Sequence, residues 1–308
     1  MMSFMLQYVG IDVSKNHLDV FSGGEIKRYK NDLDGWLMLF KDTRGPYVIE
    51  STGIYHIPVA RFLWRHERIV YVVSPLRVRR YAQALMTRNK TDSIDARVIA
   101  AYAEAARDQL REWTPLDADL SAIRVLVSYA RGIVRQSVAN RNRLHAVRFA
   151  YPEHGDSIID TVKTLRITGG LFYREALNVA YENPIIAHWI DNMTDVVGVG
   201  ERVALTVVAY GGNLERFNNA RAFAAYTGLT PMRKQSGDKE GKSRISRMGP
   251  GALRQAFYIA ARVAVARDER YRIYYERKRN EGKPHLVSMT AIARKLSVVT
   301  WKKAVSRS

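Results

Sequence analysis

The stretch YVGIDVSKNHLDVFSGGEIKRYK, residues 8–30, reads as three short strands at 8–13, 17–22 and 25–30, joined by tight polar connections. The "SGG" at 22–24 marks the second turn. The first strand is almost entirely apolar, which predicts burial, yet Asp12 lies inside it. An unpaired carboxylate in such a run is costly to bury, so the fold has to supply Asp12 with a partner.

Working outward, "DLDGWLMLFKD" (32–42) predicts an amphipathic helix with Asp32 as its N-cap. Next come "PYVIEST" (strand), "YHIPVARFLWRH" (helix) and "RIVYVVSP" (strand), then helical "LRVRRYAQAL" and "SIDARVIAAYAEAARDQL". A three-strand meander followed by alternating helices and strands predicts a mixed sheet flanked by helices, an order compatible with the ribonuclease H topology. Residues 116–150 read as one long helix with Leu120, Ile123, Val127, Val134 and Val138 near one stripe. More helix follows over 157–193, interrupted at "TGG" (168–170) and "NP" (183–184). Residues 111–192 are therefore expected to form a helical connector with coiled-coil character. A second compact module opens at "TDVVGVGERVALTVVAYGG" (194–212), whose Gly-x-Gly turn resembles the hairpin of helix-hairpin-helix DNA binders.

The chain has 308 residues, of which 47% are hydrophobic, enough for two or three globular modules. The absence of cysteine excludes a disulfide framework and thiolate zinc sites. No apolar run approaches the roughly 20 residues of a membrane helix, and "MMSFMLQYVG" lacks the pattern of a signal peptide. A soluble intracellular protein is expected. Its net charge is +19 and unevenly placed: residues 231–308 carry 20 Lys and Arg against 6 Asp and Glu, a balance of +14, leaving +5 for the first 230. Aromatics interleave with the charge in "RDERYRIYYERKRNEGKPH" (267–285). So concentrated a basic excess points to a polyphosphate partner, favoured by counterion release.

Three regions each deliver acids beside apolar sequence: Asp12, Glu50 at the end of "YVIE", and Asp92 with Asp95 in "NKTDSIDARVIAAYA". Carboxylates brought together repel one another, and Mg²⁺, which takes hard oxygen ligands, relieves that repulsion. Two such ions can flank a scissile phosphate. Alone, Asp92 reads better as a helix cap and Glu50 as a strand end, and Asp12, apolar on both flanks, is the hardest to read as ordinary.

The blocks "GIDVSK", "IESTGIYH" and "KTDSIDA" resemble, in order and spacing, the motifs of the DEDD-type insertion-sequence transposase and Piv-type invertase family. "ERFNNARAFAAYTGLTPMRKQSGDKEGKSRISRMGPGALRQAFYIAARVA" (215–263) is similar to that family's C-terminal transposase block. The resemblance implies a RuvC-like domain over 1–110 with Asp12, Glu50, Asp92 and Asp95 binding Mg²⁺, with Mn²⁺ as a substitute. It implies the connector over 111–192 and a mostly helical transposase domain over 193–308. Ser236 of "KQSGDKEG" matches the family's nucleophilic serine, with Ser243 and Ser246 as nearby competitors. The implied chemistry is attack of the serine hydroxyl on a DNA phosphate, giving a phosphoserine link that a freed 3′ hydroxyl of another strand resolves. Lys90, Arg233, Lys234, Lys242, Arg244, Arg247 and Arg254 suit phosphate contacts, and "RMGPGALR" reads as a Gly-Pro turn opening a helix. Lys15 and His56 lie beside two of the ligand blocks. The family's mobile-element members work with a bridge or seeker RNA, and combine the acids of one subunit with the serine of another. The resemblance thus implies target and donor DNA, a noncoding guide RNA and a homodimer or homotetramer, in the nucleoid-associated cytoplasm of a prokaryote.

Two other readings fit the same residues: a RuvC-like nuclease that uses water on Holliday junctions or flaps, and a non-catalytic nucleic-acid-binding protein whose acids are structural.

Overall fold

The computed structural model describes residues 8–51, 53–84, 96–232, 235–236, 239–240 and 244–306, with the backbone alone at 232, 235–236, 239–240 and 244. Contacts divide the chain into two units, Met1–Pro115 and Leu116–Ser308.

The first unit is built on β1 (Val9–Val13), β2 (His17–Ser22), β3 (Glu25–Lys30), β4 (Tyr47–Glu50) and β5 (Val70–Val73). They form one sheet in the order β3-β2-β1-β4-β5. β1 and β2, like β2 and β3, pair antiparallel, whereas β1 with β4 and β4 with β5 pair parallel. The meander and the crossovers of the sequence are therefore both present, as a mixed sheet. Alternation along each strand divides the core in two. Val9, Ile11, Val13, Leu18, Val20, Tyr47 and Ile49 pack on the side of α1 (Leu33–Asp42) and α2 (His56–Arg65). Tyr8, Val48 and Val73 pack on the other side, against α3 (Pro75–Ala84) and α4 (Ala96–Ala105). α1 starts where the sequence indicates, the Asp32 carboxylate accepting from the Gly35 N–H at 2.9 Å.

The second unit is helical. α5 (Ala118–Ala150) and α6 (Gly155–Glu182) form a long antiparallel pair. α7 (Pro184–Thr194), α8 (Glu201–Gly211), α9 (Ala220–Tyr226), α10 (Gly251–Arg267), α11 (Glu269–Asn280) and α12 (His285–Ala304) follow. Between α9 and α10 lie the two-residue strands β6 (Pro231–Met232), β7 (Gln235–Ser236), β8 (Lys239–Glu240) and β9 (Arg244–Ile245). β6 pairs with β9 and β7 with β8. Leu120, Ile123 and Val127 of α5 join one core with α6, α7, α8, α10 and α12, while Val138 stands 43% exposed.

The expected break at "NP" is real: Asn183 caps α7 through the Ile185 and Ile186 amides, with Pro184 as its first residue. The expected break at "TGG" is not. α6 runs straight through it, because a Cβ on Gly169 would come within 3.0 Å of Val134 on α5. That glycine serves close helix packing, not a turn. Among the described residues, no helix is long and apolar enough to cross a membrane.

Candidate active site

β1 pairs with β4 at Val9–Tyr47, Gly10–Val48 and Ile11–Ile49. One step further, Asp12 and Glu50 occupy neighbouring places on the two strands. Strand alternation puts both on the α3/α4 side with Tyr8, Gly10 and Val48. On the other flank of β1, Asp12 stands directly opposite Asp19 of β2, and Asp19 opposite Arg28 of β3. Glu50, Asp12, Asp19 and Arg28 thus form a row across four adjacent strands. Directly opposed side chains in such a row are about 5 Å apart at Cβ.

Burial sharpens the arrangement. Glu50 is 5% exposed and Asp12 is half-buried between the buried Ile11 and Val13. Two carboxylate charges about 5 Å apart repel by roughly 3 kcal/mol at an effective dielectric constant of about 20. Asp19 is answered locally: Arg28 Nε donates to one of its oxygens at 2.7 Å and Nη2 to the other at 3.0 Å. This bidentate pairing gives Asp19 a structural occupation.

The start of α4 lies on the same face. A Cβ on Gly10 would sit 2.1 Å from the Ala96 carbonyl oxygen and 2.8 Å from the Ala100 nitrogen. Only a glycine at position 10 lets the first turn of α4 rest on β1, two residues before Asp12. Sequence reasoning passed over Gly10, although a glycine inside an apolar strand is itself a sign of close backbone approach. Asp92, Asp95 and Lys90 fall outside the described residues. Among the described residues no group of three or more His, Asp or Glu side chains is arranged to hold a metal ion. Asp12 and Glu50 offer hard oxygen donors side by side, and a full cage needs ligands beyond the described set. Lys15 is exposed in the β1–β2 turn, where Ser14 Oγ donates to the His17 carbonyl at 2.9 Å, and His56 is buried at the start of α2.

The C-terminal block is organised by close approach of two turns. Gly228, after α9, has φ 73°, and its carbonyl accepts from the Arg247 N–H at 3.2 Å. Arg247 itself is left-handed at φ 52°, an uncommon conformation for a residue with a side chain. A Cβ on Gly249 would be 1.7 Å from the Tyr226 carbonyl oxygen. Arg254, in the first turn of α10, donates back to the Gly249 carbonyl and so ties the helix to its own entry turn. Burial lowers the pKa of its guanidinium, and the neighbouring Arg247 charge lowers it further. Two cationic groups therefore gather where α10 begins, at the positive end of its dipole.

Ser236 ends β7, its backbone paired with Lys239 across the β7–β8 turn. The Ser246 N–H donates to the Thr230 carbonyl at 2.9 Å, and its hydroxyl accepts from the Met248 N–H at 3.5 Å. Arg244 is described by its backbone alone, and Arg233, Lys234, Lys242 and Ser243 lie outside the described residues. The "GVG" turn that resembles a helix-hairpin-helix loop packs on α10: Gly198 has φ 88°, and a Cβ there would be 2.3 Å from the Ala260 carbonyl oxygen.

Comparison with known proteins agrees with both halves. A family model for transposases of the DEDD, IS110 type matches residues 9–148, the span that contains Asp12, Glu50, Asp92 and Asp95. A second, described as the transposase IS116/IS110/IS902 family, matches residues 191–276, which contain Ser236 and the turns around Arg254. The chain is 25% identical to the pilin gene-inverting protein of Moraxella bovis, over 96% of this chain and 94% of the relative. It is 24% identical to the protein of the same name from Moraxella lacunata, with the same coverage. It is also 23% identical to an uncharacterized 44.8 kDa protein of insertion element IS116 from Streptomyces clavuligerus, over 96% of this chain and 93% of that one. With its acid-bearing sheet and its C-terminal turns each matched in order, the chain belongs to the IS110/IS116/IS902 family of transposases.

Proposed function

We propose that this protein is a Mg²⁺-dependent DNA transposase or recombinase that cuts and rejoins strands through a phosphoserine link, directed by a noncoding guide RNA. The observation that carries the reading is the register of β1 against β4, which makes Asp12 and Glu50 neighbours on the face reached by the start of α4. Asp95 and Asp92 precede Ala96 by one and four residues in sequence, and Ala96 itself is seated on Gly10. The sheet order β3-β2-β1-β4-β5, antiparallel then parallel, supports a RuvC-like reading of the first 110 residues. Residues 111–192 act as connector and 193–308 as the domain of the serine.

In this reading Asp12, Glu50, Asp92 and Asp95 hold Mg²⁺, whose role when bound is to neutralise charge developing on the phosphate oxygens. Ser236 attacks the scissile phosphorus through its hydroxyl oxygen. The hydroxyl proton passes to water, the P–O3′ bond breaks, and the departing 3′ oxygen takes up a proton from water to leave as a free hydroxyl, while the 5′ phosphate stays on the serine. The reverse attack by a 3′ hydroxyl from another strand restores the phosphodiester and releases the serine, so no external energy source is consumed. Lys90, Arg233, Lys234, Lys242, Arg244, Arg247 and Arg254 neutralise phosphates around the reaction. The +14 balance of residues 231–308 supports a polyanionic partner, and membership of the family supports DNA as the substrate. Guide RNA and assembly into a dimer or tetramer are part of the same proposal.

The test is a covalent trap on labelled DNA with Mg²⁺ present. A protein–DNA adduct is expected, to be lost on chelation, in Asp12→Asn and in Ser236→Ala. Cleavage without any adduct would favour the water-using nuclease instead. An adduct that survives Ser236→Ala but not Ser246→Ala or Ser243→Ala would move the nucleophile. Sequencing of RNA co-purified with the protein is expected to return one discrete noncoding species; a heterogeneous mixture would remove the guide from the proposal.

A further inference from the structure

In the most basic stretch of the sequence, four cations are answered by acids close by. In α11, Arg270 pairs with Asp268 at 2.7 Å, Arg272 with Glu269 at 3.9 Å, and Arg277 and Lys278 with Glu281 at 3.8 and 2.6 Å. Much of that charge is answered within the helix and its caps. A second group of cations lies outside the acid-bearing and serine blocks. Arg124 and Arg131, seven residues apart on α5, both stack on the Tyr210 ring of α8, at 4.9 and 5.8 Å from its centroid. Arg202, in the first turn of α8, stacks on Tyr173 of α6 at 5.2 Å. Arg131 Nη2 donates to Gln255 Oε1 of α10 at 2.7 Å, and Arg124 Nη1 to the Ala209 carbonyl at 3.3 Å.

Among the described residues none of these three arginines makes an ion pair. Tyr173 is 8% exposed; burial raises its pKa, and the charges of Arg131 and Arg202 beside it oppose the rise. A ring beneath a guanidinium restrains it, and of its five N–H donors the bonds to Ala209 and Gln255 each take one, which leaves donors suited to phosphate. Seven helical residues span about 10 Å, so Arg124 and Arg131 offer separate contacts along one line. A carboxylate-bearing protein partner would need its acids at matching intervals, whereas a nucleic-acid backbone presents phosphates at every step.

We propose that Arg124, Arg131 and Arg202, held by Tyr210 and Tyr173, form a track that binds the phosphodiester backbone of a nucleic acid. The proposal rests on the reading of the protein as a nucleic-acid recombinase, and it deepens that reading by adding a contact surface on α5 and α8. Duplex DNA and RNA share the backbone chemistry, and the test separates them.

The experiment measures binding of the full chain to labelled duplex DNA and, separately, to labelled single-stranded RNA across a salt series. For the triple variant Arg124→Gln, Arg131→Gln, Arg202→Gln, the slope of log K against log salt is expected to fall by about 0.9 per lost contact on duplex DNA, or about 0.7 on single strands. A fall on the DNA arm assigns the track to DNA, and a fall on the RNA arm to RNA. Unchanged slopes on both arms, with an unchanged melting temperature, would overturn the track. So would an equal fall from Arg143→Gln, whose exposed guanidinium bonds only to Asn140 of its own helix among the described hydrogen bonds. Should the triple variant melt early, Arg202→Gln alone carries the test, with one contact's fall expected. Metal-dependent cleavage, assayed in parallel, keeps the two readings apart. Cleavage by the unaltered protein with unchanged slopes sinks the track alone, and a lowered slope without any cleavage sinks the recombinase reading alone.

Discussion

In the sheet, Asp12 and Glu50 become neighbours because two parallel strands share one register, and every apolar residue around them enforces it: a slip of one residue would turn Val9, Ile11 and Val13 out of their core. At the C-terminal turns, Arg247 and Arg254 come together because backbones touch at Gly228 and Gly249, where no Cβ fits. The first arrangement is fixed by many side chains acting together and tolerates change at any one of them. The second is fixed by the absence of side chains at a few points, and fails sharply if one is filled. Position by register and position by close approach are thus two different ways of holding polar groups, and they break differently.

The largest effect should come from separating two acids that the sheet places face to face. Asp12→Asn is expected to lower metal-dependent DNA cleavage by about 10³-fold, equivalent to ~4 kcal/mol of barrier. Asp19→Asn, directly opposite on β2, should change it only a few-fold, since its partner is Arg28. Equal losses in the two variants would mean that the row acts as one acidic patch and that register does not single out Asp12.

This contrast also explains how much could be read from the sequence. The three strands at 8–30, Glu50 at the end of β4 and the Asp32 cap follow from periodicity and from local hydrogen bonding, which short windows contain. Asp12 was legible because a carboxylate amid Val9, Ile11 and Val13 violates its window. Gly10 left a local sign, a glycine inside an apolar strand, whereas Gly169, Gly198 and Gly249 were not legible as packing sites, because the atoms they admit belong to α5, α10 and the end of α9, far off in sequence. The arginine–tyrosine stacks escaped for the same reason: Arg131 and Tyr210 are 79 positions apart in the chain, and nothing near either announces the other. The concentration of charge at 267–285 drew attention to α11, where four cations have acidic partners of their own.

Filling the glycines tests close approach directly. Gly249→Ala and Gly10→Ala each place a methyl group on a backbone carbonyl, at 1.7 and 2.1 Å without relaxation. Each is expected to destabilise by at least the ~1–3 kcal/mol typical of overpacking, read as a lower urea midpoint. Gly10→Ala should in addition weaken metal-dependent cleavage, because α4 has to lift from β1. Gly132 is the internal control: it lies within α5, and a methyl group added there would meet nothing within 4 Å. There Gly132→Ala should stabilise by about 0.5–1 kcal/mol, the ordinary helix-propensity gain. A destabilised Gly132→Ala together with neutral Gly10→Ala would show that backbone contact is not what these glycines supply.

The smallest effect concerns the far edge of the sheet. The Asp42 carboxylate, at the end of α1, accepts from the Lys27 ammonium and from the Tyr29 hydroxyl at 3.0 Å, joining the helix to β3. The Lys27 bond, then that of Tyr29, holds its pKa below the usual carboxylate range. A carboxyl whose folded-state pKa is depressed adds stability above its unfolded value of about 3.9, and that stability is lost as pH falls through the folded value. The melting-temperature gap between the unaltered protein and Asp42→Asn should therefore be full at neutral pH, narrow below about pH 4 and close under stronger acid. The exposed pair should also weaken with added salt. A gap that ignores both pH and salt would mean that Asp42 acts through packing, and that even at this edge strand register, not charge, ties the helix to the sheet.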